Sequence, residues 1–317
     1  MIPKENHQKT PIRVPAFAKA LGDLLDVAKK GHKATSEFFN PNNEWLIEKM
    51  RVFQDFNSSD QQTILKDAER VENESMQLNS EGRAGKKVWP DVAVRLETGG
   101  LGFFSQLGVA RRPDLTQYYV DGFVPNRDAI SFSEENQELF SEIIPQITNK
   151  MSESFLNEQT IVQTDRQIGD APGRSFHARQ LLFGTNYLQL PYMWKQLTFD
   201  LQNEELQQEP DILEISIPNW LDDLAISAEI KNRIANAGLT SLIFKAPTLG
   251  LSLHLGFDYM GEHKMGPLSI AMFLVKQKSG LAIQAALSMA RIKDINGATK
   301  NSALITIGPS LHGKSTL

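Results

Sequence analysis

The last ten residues of the chain contain the residue pattern with the clearest chemistry. Residues 308–315, Gly-Pro-Ser-Leu-His-Gly-Lys-Ser, match G-x-x-x-x-G-K-[ST], the pattern of a loop that surrounds nucleotide phosphates. In such a loop Gly308 and Gly313 allow backbone N–H groups to turn toward the phosphate oxygens. Lys314 neutralises the β- and γ-phosphates, and the Ser315 hydroxyl is a ligand for Mg²⁺. The alternative interpretation is a glycine-rich turn with a purely structural role.

The residues around this loop bear on its interpretation. Residues 303–307, Ala-Leu-Ile-Thr-Ile, are apolar and partly β-branched, which predicts the strand that such a loop follows. A phosphate loop normally opens a helix whose N-terminal dipole helps to hold the phosphates. The chain ends at Leu317, before such a helix and before any acidic magnesium-binding segment. We therefore expect the sequence to be the front part of a longer protein.

The composition excludes several classes of protein. A length of 317 residues indicates two domains, or one domain with an extension. A net charge of −5 gives no general basic field for nucleic acid, and no apolar run approaches the roughly 18 residues of a membrane span. The chain has no cysteine, which excludes disulfides, cysteine metal sites and a cysteine nucleophile. These properties predict a cytoplasmic protein that binds neither nucleic acid nor membrane.

Residues 1–80 are predicted to form a helical N-terminal extension. Apolar residues at helical spacing indicate helices over residues 15–30, 43–56 and 58–78. Their charged faces contain no converging polar cluster, so we interpret them as a packing element rather than a catalytic one. They would pack on the main domain, on a second copy of the chain or on a partner protein.

From residue 88 onward, strands and helices alternate, which is typical of an α/β fold. The predicted strands cover residues 92–96, 117–120, 160–164, 212–217, 241–245, 281–287 and 303–307. The predicted helices cover residues 134–155, 178–183, 225–237 and 267–275.

Several segments in this region, in their order along the chain, resemble the ATP-dependent phosphoenolpyruvate carboxykinases. Residues 259–266, Tyr-Met-Gly-Glu-His-Lys-Met-Gly, are similar to the family's Tyr-x-Gly-Glu-x-Lys-Lys-Gly segment, and the terminal loop is similar to its kinase loop. Weaker similarities lie in residues 97–99, 182–191 and 209–220. The resemblance runs from about residue 88 to the end of the chain.

The resemblance implies a mixed-sheet N-terminal α/β domain, here residues 81–278, followed by a P-loop domain that begins at residues 279–317. It implies the conversion of oxaloacetate and ATP to phosphoenolpyruvate, ADP and CO₂, a lyase and kinase reaction of gluconeogenesis. The ligands would be the nucleotide with Mg²⁺ and a small carboxylate, with Mn²⁺ usually bound at the active centre.

The resemblance also implies roles for particular residues. Lys264 and Lys314 would be catalytic, while Tyr259 and Ser105 would line the substrate cleft. Ser315 would hold Mg²⁺ through the nucleotide. The residues that would bind the nucleotide are Gly308, Ser310, Gly313, Lys314, Ser315 and Thr316.

Three positions depart from the family's pattern. Met265 stands where the family has a lysine that binds the metal, and a thioether is a poor ligand for Mn²⁺. Ala285 stands where it has a metal-binding histidine. Phe104 falls near the arginine that grips the substrate carboxylate, and an apolar ring cannot form that bidentate pair. The sequence therefore puts Mn²⁺ binding and decarboxylation in doubt.

Other residues could supply these missing groups. A replacement metal site could draw on His254, Asp258, Glu262 and His263, although exposed loop polars explain this cluster as well. Anion grips could be supplied by His177, Arg174, Arg111 and Arg112, for which helix ends and surface charge are the alternative explanation. For His312, packing or solvent exposure is expected.

Two functions from different classes remain open. The first is an enzyme that transfers a phosphoryl group between ATP and a small acid. The second is a nucleotide-binding regulatory or scaffold protein of the same fold that has lost the decarboxylation chemistry.

Overall fold

The computed structural model describes residues 14–53, 62, 66, 92–96, 99–104, 117–120, 132–158, 160–170, 175–202, 204, 208–283 and 285–307. The chain divides into two compact units, Met1–Ala271 and Met272–Leu317. The domain boundaries predicted at residues 80/81 and 278/279 remain predictions.

A six-stranded mixed sheet organises the first unit. Its strands, in the spatial order β4-β8-β9-β7-β6-β5, are parallel except for the β8–β9 and β5–β6 pairs. The strand bounds are β4 Gln117–Val120, β5 Ile161–Ile168, β6 Phe176–Phe183, β7 Ile212–Ile217, β8 Leu242–Ala246 and β9 Leu251–Leu255. A smaller sheet contains β1 Arg51–Phe53, β2 Val92–Arg95 and β3 Leu101–Phe104, in that order. The mixed α/β class predicted from the sequence is confirmed.

Helices pack against the strands through their buried apolar residues. Within the described residues, the helices with both ends defined are α1 Pro15–Lys30, α2 Asn43–Lys49, α3 Glu134–Asn157, α4 Gln189–Leu197, α5 Trp220–Asp223, α6 Ala228–Asn236 and α7 Met260–Gln277, with a short 3₁₀ turn at Pro247–Leu249. Ser133 caps the N-terminus of α3, where its hydroxyl accepts a hydrogen bond from the backbone N–H of Asn136.

The apolar core lies on one face of this sheet. It joins Leu21 and Leu24 of α1, Ile144 of α3, and Leu213 and Ile215 of β7 in a single cluster of buried side chains. Helix α1 is therefore part of the main core of the first unit.

The N-terminal region differs from prediction in one respect. The helix predicted over residues 43–56 ends at Lys49, and residues 51–53 form strand β1, which pairs in parallel with β2. The pairing partner lies about forty residues ahead in the sequence, so local periodicity does not reveal it. The helix predicted over residues 58–78 falls almost wholly outside the described residues.

The prediction of a helix over residues 178–183 is wrong. These residues lie in β6, whose segment Phe-His-Ala-Arg-Gln-Leu-Leu-Phe contains good helix formers. Strand β6 pairs with β5 on one side and β7 on the other, and every residue of it is buried. Pairing along both edges outweighs intrinsic helix propensity here.

The described part of the second unit includes an antiparallel hairpin of β10 Ala285–Lys293 and β11 Thr299–Ile307. Gly297, at φ +80°, lies in the turn between the strands, where a left-handed backbone favours glycine. Among the residues that the structure describes, none of the helices combines the length and apolar character needed to cross a bilayer.

Candidate functional site

The face of the six-stranded sheet opposite the apolar core carries a row of polar side chains. Strand pairing sets residues of β5, β6, β7, β9 and β8 side by side, and alternation along each strand directs them to one face. The row has five side chains, one from each of these strands. Four of them are fully buried, and the fifth, Lys245, is partly exposed. The row consists of Thr164, Gln180, Glu214, Ser252 and Lys245.

The first part of helix α7 lies against this polar face. His263 of α7 lies against the sheet, with its Nε2 2.8 Å from Ser216 Oγ of β7. A side chain at Gly266 would overlap the Ser252 hydroxyl and the imidazole of His254. Glycine at this position therefore allows the helix backbone to lie directly on the polar face.

Three groups that can bind a proton or a metal converge beneath α7. They are Glu214 of β7, His254 of β9 and His263 of α7, and the side chain of each is completely buried. One donor atom from each lies within 4.8 Å of those of the other two. The two imidazole rings are 4.7 Å apart between centroids and inclined by 35°.

Hydrogen bonds hold these three side chains in place. Gln180 Nε2 donates to Glu214 Oε2 at 3.3 Å, and His254 Nε2 lies 2.6 Å from Ser252 Oγ. His263 Nδ1 lies 3.0 Å from the carbonyl oxygen of Tyr259, so this nitrogen carries the proton. Glu214 Oε1 and His254 Nδ1 have no hydrogen-bond partner among the described residues.

Burial favours the uncharged form of each member of this cluster. It raises the pKa of Glu214 well above the usual value, because desolvation disfavours a carboxylate more than the Gln180 hydrogen bond stabilises it. Burial also lowers the pKa of His254 well below its usual range, and His263 and Lys245 add to the effect. For His263, burial lowers the pKa to about 4 against the opposing hydrogen bond to the Tyr259 carbonyl.

Tyr259, predicted to line the substrate cleft, and Lys264, predicted to be catalytic, lie on either side of His263 in the sequence at the start of α7. The ring of Tyr259 is partly buried and occupies the space that a side chain at Gly261 would need. The side chain of Lys264 is exposed, whereas that of its neighbour His263 is buried. The roles of Tyr259 and Lys264 remain predictions.

The remaining predicted site residues lie outside the described residues. They are Ser105 in the substrate cleft and the loop residues Gly308, Ser310, Gly313, Lys314, Ser315 and Thr316.

Two positions that the resemblance aligns with the family's metal ligands carry side chains that do not suit a hard divalent cation. Met265 is a partly buried residue of α7 that offers only a thioether, and Ala285, the first residue of β10, offers no donor atom. Phe104, assigned to a loop from the resemblance, is the last residue of strand β3. The backbone there pairs with β2, where Phe104 lies opposite Val92.

The structure brings together part of the replacement metal cluster. His254 and His263 are neighbours, as the sequence alternative required, but the third member of the cluster is Glu214 rather than Asp258 or Glu262. Asp258 is buried instead beside α4, where its Oδ2 accepts a hydrogen bond from Gln189 Nε2 at 3.2 Å. His254, Asp258 and His263 are therefore buried rather than exposed.

The proposed anion grip at His177 is a buried contact of the sheet. Its Nε2 lies 3.3 Å from Asp165 Oδ2, and Arg179 donates two hydrogen bonds to the same carboxylate at 2.7 and 2.8 Å. Burial alone would raise the pKa of Asp165, but His177 and Arg179 hold it below its usual value. Arg174, Arg111, Arg112 and His312 lie outside the described residues.

Sequence reasoning missed Glu214. The available signal was an acidic residue within the apolar run 212–217, at a position that a strand buried on both faces removes from water. Its approach to His254 depends on the register of β7 against β9, which no local pattern supplies.

Comparison with known families agrees with the resemblance. A family described as phosphoenolpyruvate carboxykinase matches residues 97–317. A comparison with curated proteins found no match. The matched family is ATP-dependent and uses a nucleotide, a small-molecule substrate and a divalent metal. Since the match covers more than half of the sequence, the chain belongs to the phosphoenolpyruvate carboxykinase family.

Proposed function

We propose that the protein binds ATP with Mg²⁺ through residues 308–316 and transfers a phosphoryl group to a small carboxylate. One observation supports this most strongly: the family match extends through the loop, and the loop retains Lys314 and Ser315. Phosphoryl transfer depends on positioning and on cationic stabilisation of the phosphate oxygens, and both depend on these residues.

Each loop residue has a part in this function. Gly308 and Gly313 allow backbone N–H groups to face the phosphates, while Lys314 stabilises the charge on the transferred group. Ser315 is the hydroxyl ligand for the magnesium of the nucleotide, and Ser310 and Thr316 complete the loop. Tyr259 and Lys264 line the part of the cleft that binds the small carboxylate.

Decarboxylation of oxaloacetate is proposed to be weak or lost. Stabilising an enolate requires a cation beside the substrate oxygen, and Met265 and Ala285 supply no ligand for one. Without that cation, the family's reaction lacks the group that carries the developing negative charge.

A second candidate function is non-catalytic nucleotide binding in a regulatory or scaffold protein. Met265 and Ala285 favour this function, because replacing the metal ligands leaves the nucleotide loop unaffected. In this case residues 1–80 would serve a second copy or a partner protein, although the apolar face of α1 is already buried in the core of the first unit.

Calorimetric titration of the intact protein with ATP and Mg²⁺ tests the nucleotide site. We expect saturable binding that Lys314→Ala weakens by roughly 100-fold, in line with the loss of a charge-assisted phosphate contact. Lys300→Ala, which removes an exposed lysine of β11, serves as the matched control and should bind like the wild type. Unchanged affinity in Lys314→Ala would refute the nucleotide proposal.

A coupled assay separates the two candidate functions. With oxaloacetate, ATP and Mn²⁺ we expect little phosphoenolpyruvate, whereas ADP release stimulated by a panel of small carboxylates would identify a phosphoryl-transfer enzyme. Nucleotide binding without ADP release from any acid would favour the scaffold. Rapid phosphoenolpyruvate formation would show that Met265 and Ala285 do not limit the family's reaction.

A further inference from the structure

We propose that Glu214, His254 and His263 form a binding site for a divalent transition metal of the Zn²⁺ class, held between the sheet and helix α7. Two imidazoles and one carboxylate are a donor set that such metals bind, whereas Mg²⁺ and Ca²⁺ prefer oxygen ligands. Nothing in the proposed nucleotide chemistry uses these three side chains.

The spacing of the donor atoms suits this assignment. They lie within 4.8 Å of one another, and all three side chains are completely buried. A tetrahedral zinc site with bonds of about 2.0–2.2 Å sets its ligand atoms roughly 3.4 Å apart. The three groups therefore need to approach by no more than about 1.5 Å to enclose an ion.

The hydrogen bonds around the cluster are those of oriented metal ligands. A metal-binding histidine usually donates its other ring N–H to a carbonyl or similar acceptor, which fixes the ring and its tautomer. His263 makes such a bond from Nδ1 to the Tyr259 carbonyl, so Nε2 is the ring nitrogen that carries the lone pair. That lone pair now accepts a hydrogen bond from Ser216 Oγ at 2.8 Å, and a bound metal would replace this hydroxyl as its partner. Gln180 also orients Glu214, by donating a hydrogen bond to Oε2.

The unsatisfied atoms are an independent indication of a missing ligand. Glu214 Oε1 and His254 Nδ1 are completely buried and make no hydrogen bond to any described residue. Leaving such a group unpaired in a protein interior costs about 1–3 kcal/mol, so buried polar atoms are nearly always satisfied. A metal ion that took these two atoms as ligands would satisfy both together.

The metal would connect three elements of the first unit. Glu214 and His254 belong to adjacent strands β7 and β9, while His263 belongs to α7. Binding would thus fix the start of α7, where Tyr259 and Lys264 lie.

The test uses tag-free intact protein that has been stripped with a chelator. We expect one Zn²⁺ per chain in competition with a chromophoric chelator, and visible absorption typical of tetrahedral coordination when Co²⁺ is bound. Glu214→Gln and His263→Gln should each weaken Zn²⁺ binding by roughly 100-fold or more, because each removes a direct ligand. His177→Gln removes a buried histidine on the opposite face of the sheet and should leave Zn²⁺ affinity unchanged.

A second measurement guards against misfolded variants. Glu214→Gln preserves the shape of the side chain and its acceptor for Gln180, so its circular dichroism should match that of the wild type. In the wild type, Zn²⁺ should slow amide hydrogen exchange over residues 259–266, and this effect should be absent in Glu214→Gln. Failure of the wild type to bind Zn²⁺, or equal binding by folded Glu214→Gln, would overturn the proposal.

Discussion

The two faces of strand β7 differ in chemistry although both are removed from water. Leu213, Ile215 and Ile217 point into the apolar core, while Glu214 and Ser216 point to the polar face beneath α7. Each of these five side chains is at most 1% exposed. Burial therefore does not distinguish the faces, and the distinction lies in what each buried group contacts.

The difference shows which face determines stability and which one indicates function. Burial of apolar groups stabilises the folded state. A buried carboxyl, by contrast, loses its hydration, and this cost must be offset by hydrogen bonds or by a cation. The polar face has donors and acceptors left over, at Glu214 and His254. Unpaired buried polar atoms oppose folding, and proteins usually keep such unfavourable features at functional sites.

The largest expected effect comes from a charged pair at the edge of the apolar face. Arg179 forms two hydrogen bonds with the buried carboxylate of Asp165 and also donates one to the carbonyl of Ala28 at the end of α1. Arg179→Met should reduce the free energy of unfolding by about 3–5 kcal/mol, because it leaves a buried carboxylate without its cation. Urea denaturation measures this loss.

The matched control for this pair removes both charges. Asp165→Leu combined with Arg179→Met should recover part of the lost stability, because no uncompensated charge remains. A loss below about 1 kcal/mol in Arg179→Met would mean that this pair behaves like an exposed one.

A smaller effect is expected from the core itself, where β7 allows a direct comparison between adjacent residues. Ile215→Ala should lower the free energy of unfolding by about 2–5 kcal/mol, since it opens a cavity in the apolar core. Ser216→Ala on the other face should lower it less, by about 1–3 kcal/mol, because it leaves the buried Nε2 of His263 without its hydrogen-bond partner. Equal losses in the two variants would contradict the distinction between the faces.

The apolar face was largely predictable from the sequence, whereas the polar face was not. Strands β4 and β7 were predicted with the bounds that the structure shows, because short apolar runs bounded by turn residues are typical of buried strands. The predicted helix over residues 134–155 is confirmed as α3, which extends two residues further. Such elements depend on local periodicity, which the sequence shows directly.

The misses share a dependence on distant pairing. The segment that forms β6 contains helix-favouring residues, and only its partners β5 and β7 make it a strand. His254 and His263 lie close enough in sequence to be considered together, but Glu214 is forty residues away from His254. Its position beside them follows from the parallel register of β7 and β9, which pairs Ser216 with His254.

The smallest effect expected, and the one most specific to the polar face, is a dependence of stability on pH in Glu214→Gln. Burial raises the folded-state pKa of Glu214, whereas the unfolded carboxyl ionises near pH 4.3. The folded protein thus holds a proton that the unfolded chain releases, so this group favours folding less as pH rises from about 4.3 through its folded pKa. A glutamine cannot ionise, and it keeps the acceptor for Gln180.

Thermal unfolding with a chelator present checks this prediction at pH 5 and pH 8. The Tm of Glu214→Gln should exceed that of the wild type by more at pH 8 than at pH 5. The lowered pKa values of His254 and His263 act with the opposite sign, since they remove stability as pH falls below about 6.5, and they are common to both proteins. Comparison of the two proteins at each pH therefore isolates the carboxyl. A Tm difference that shrinks as pH rises would show that Glu214 is ionised in the folded protein, as a carboxylate paired with a cation would be.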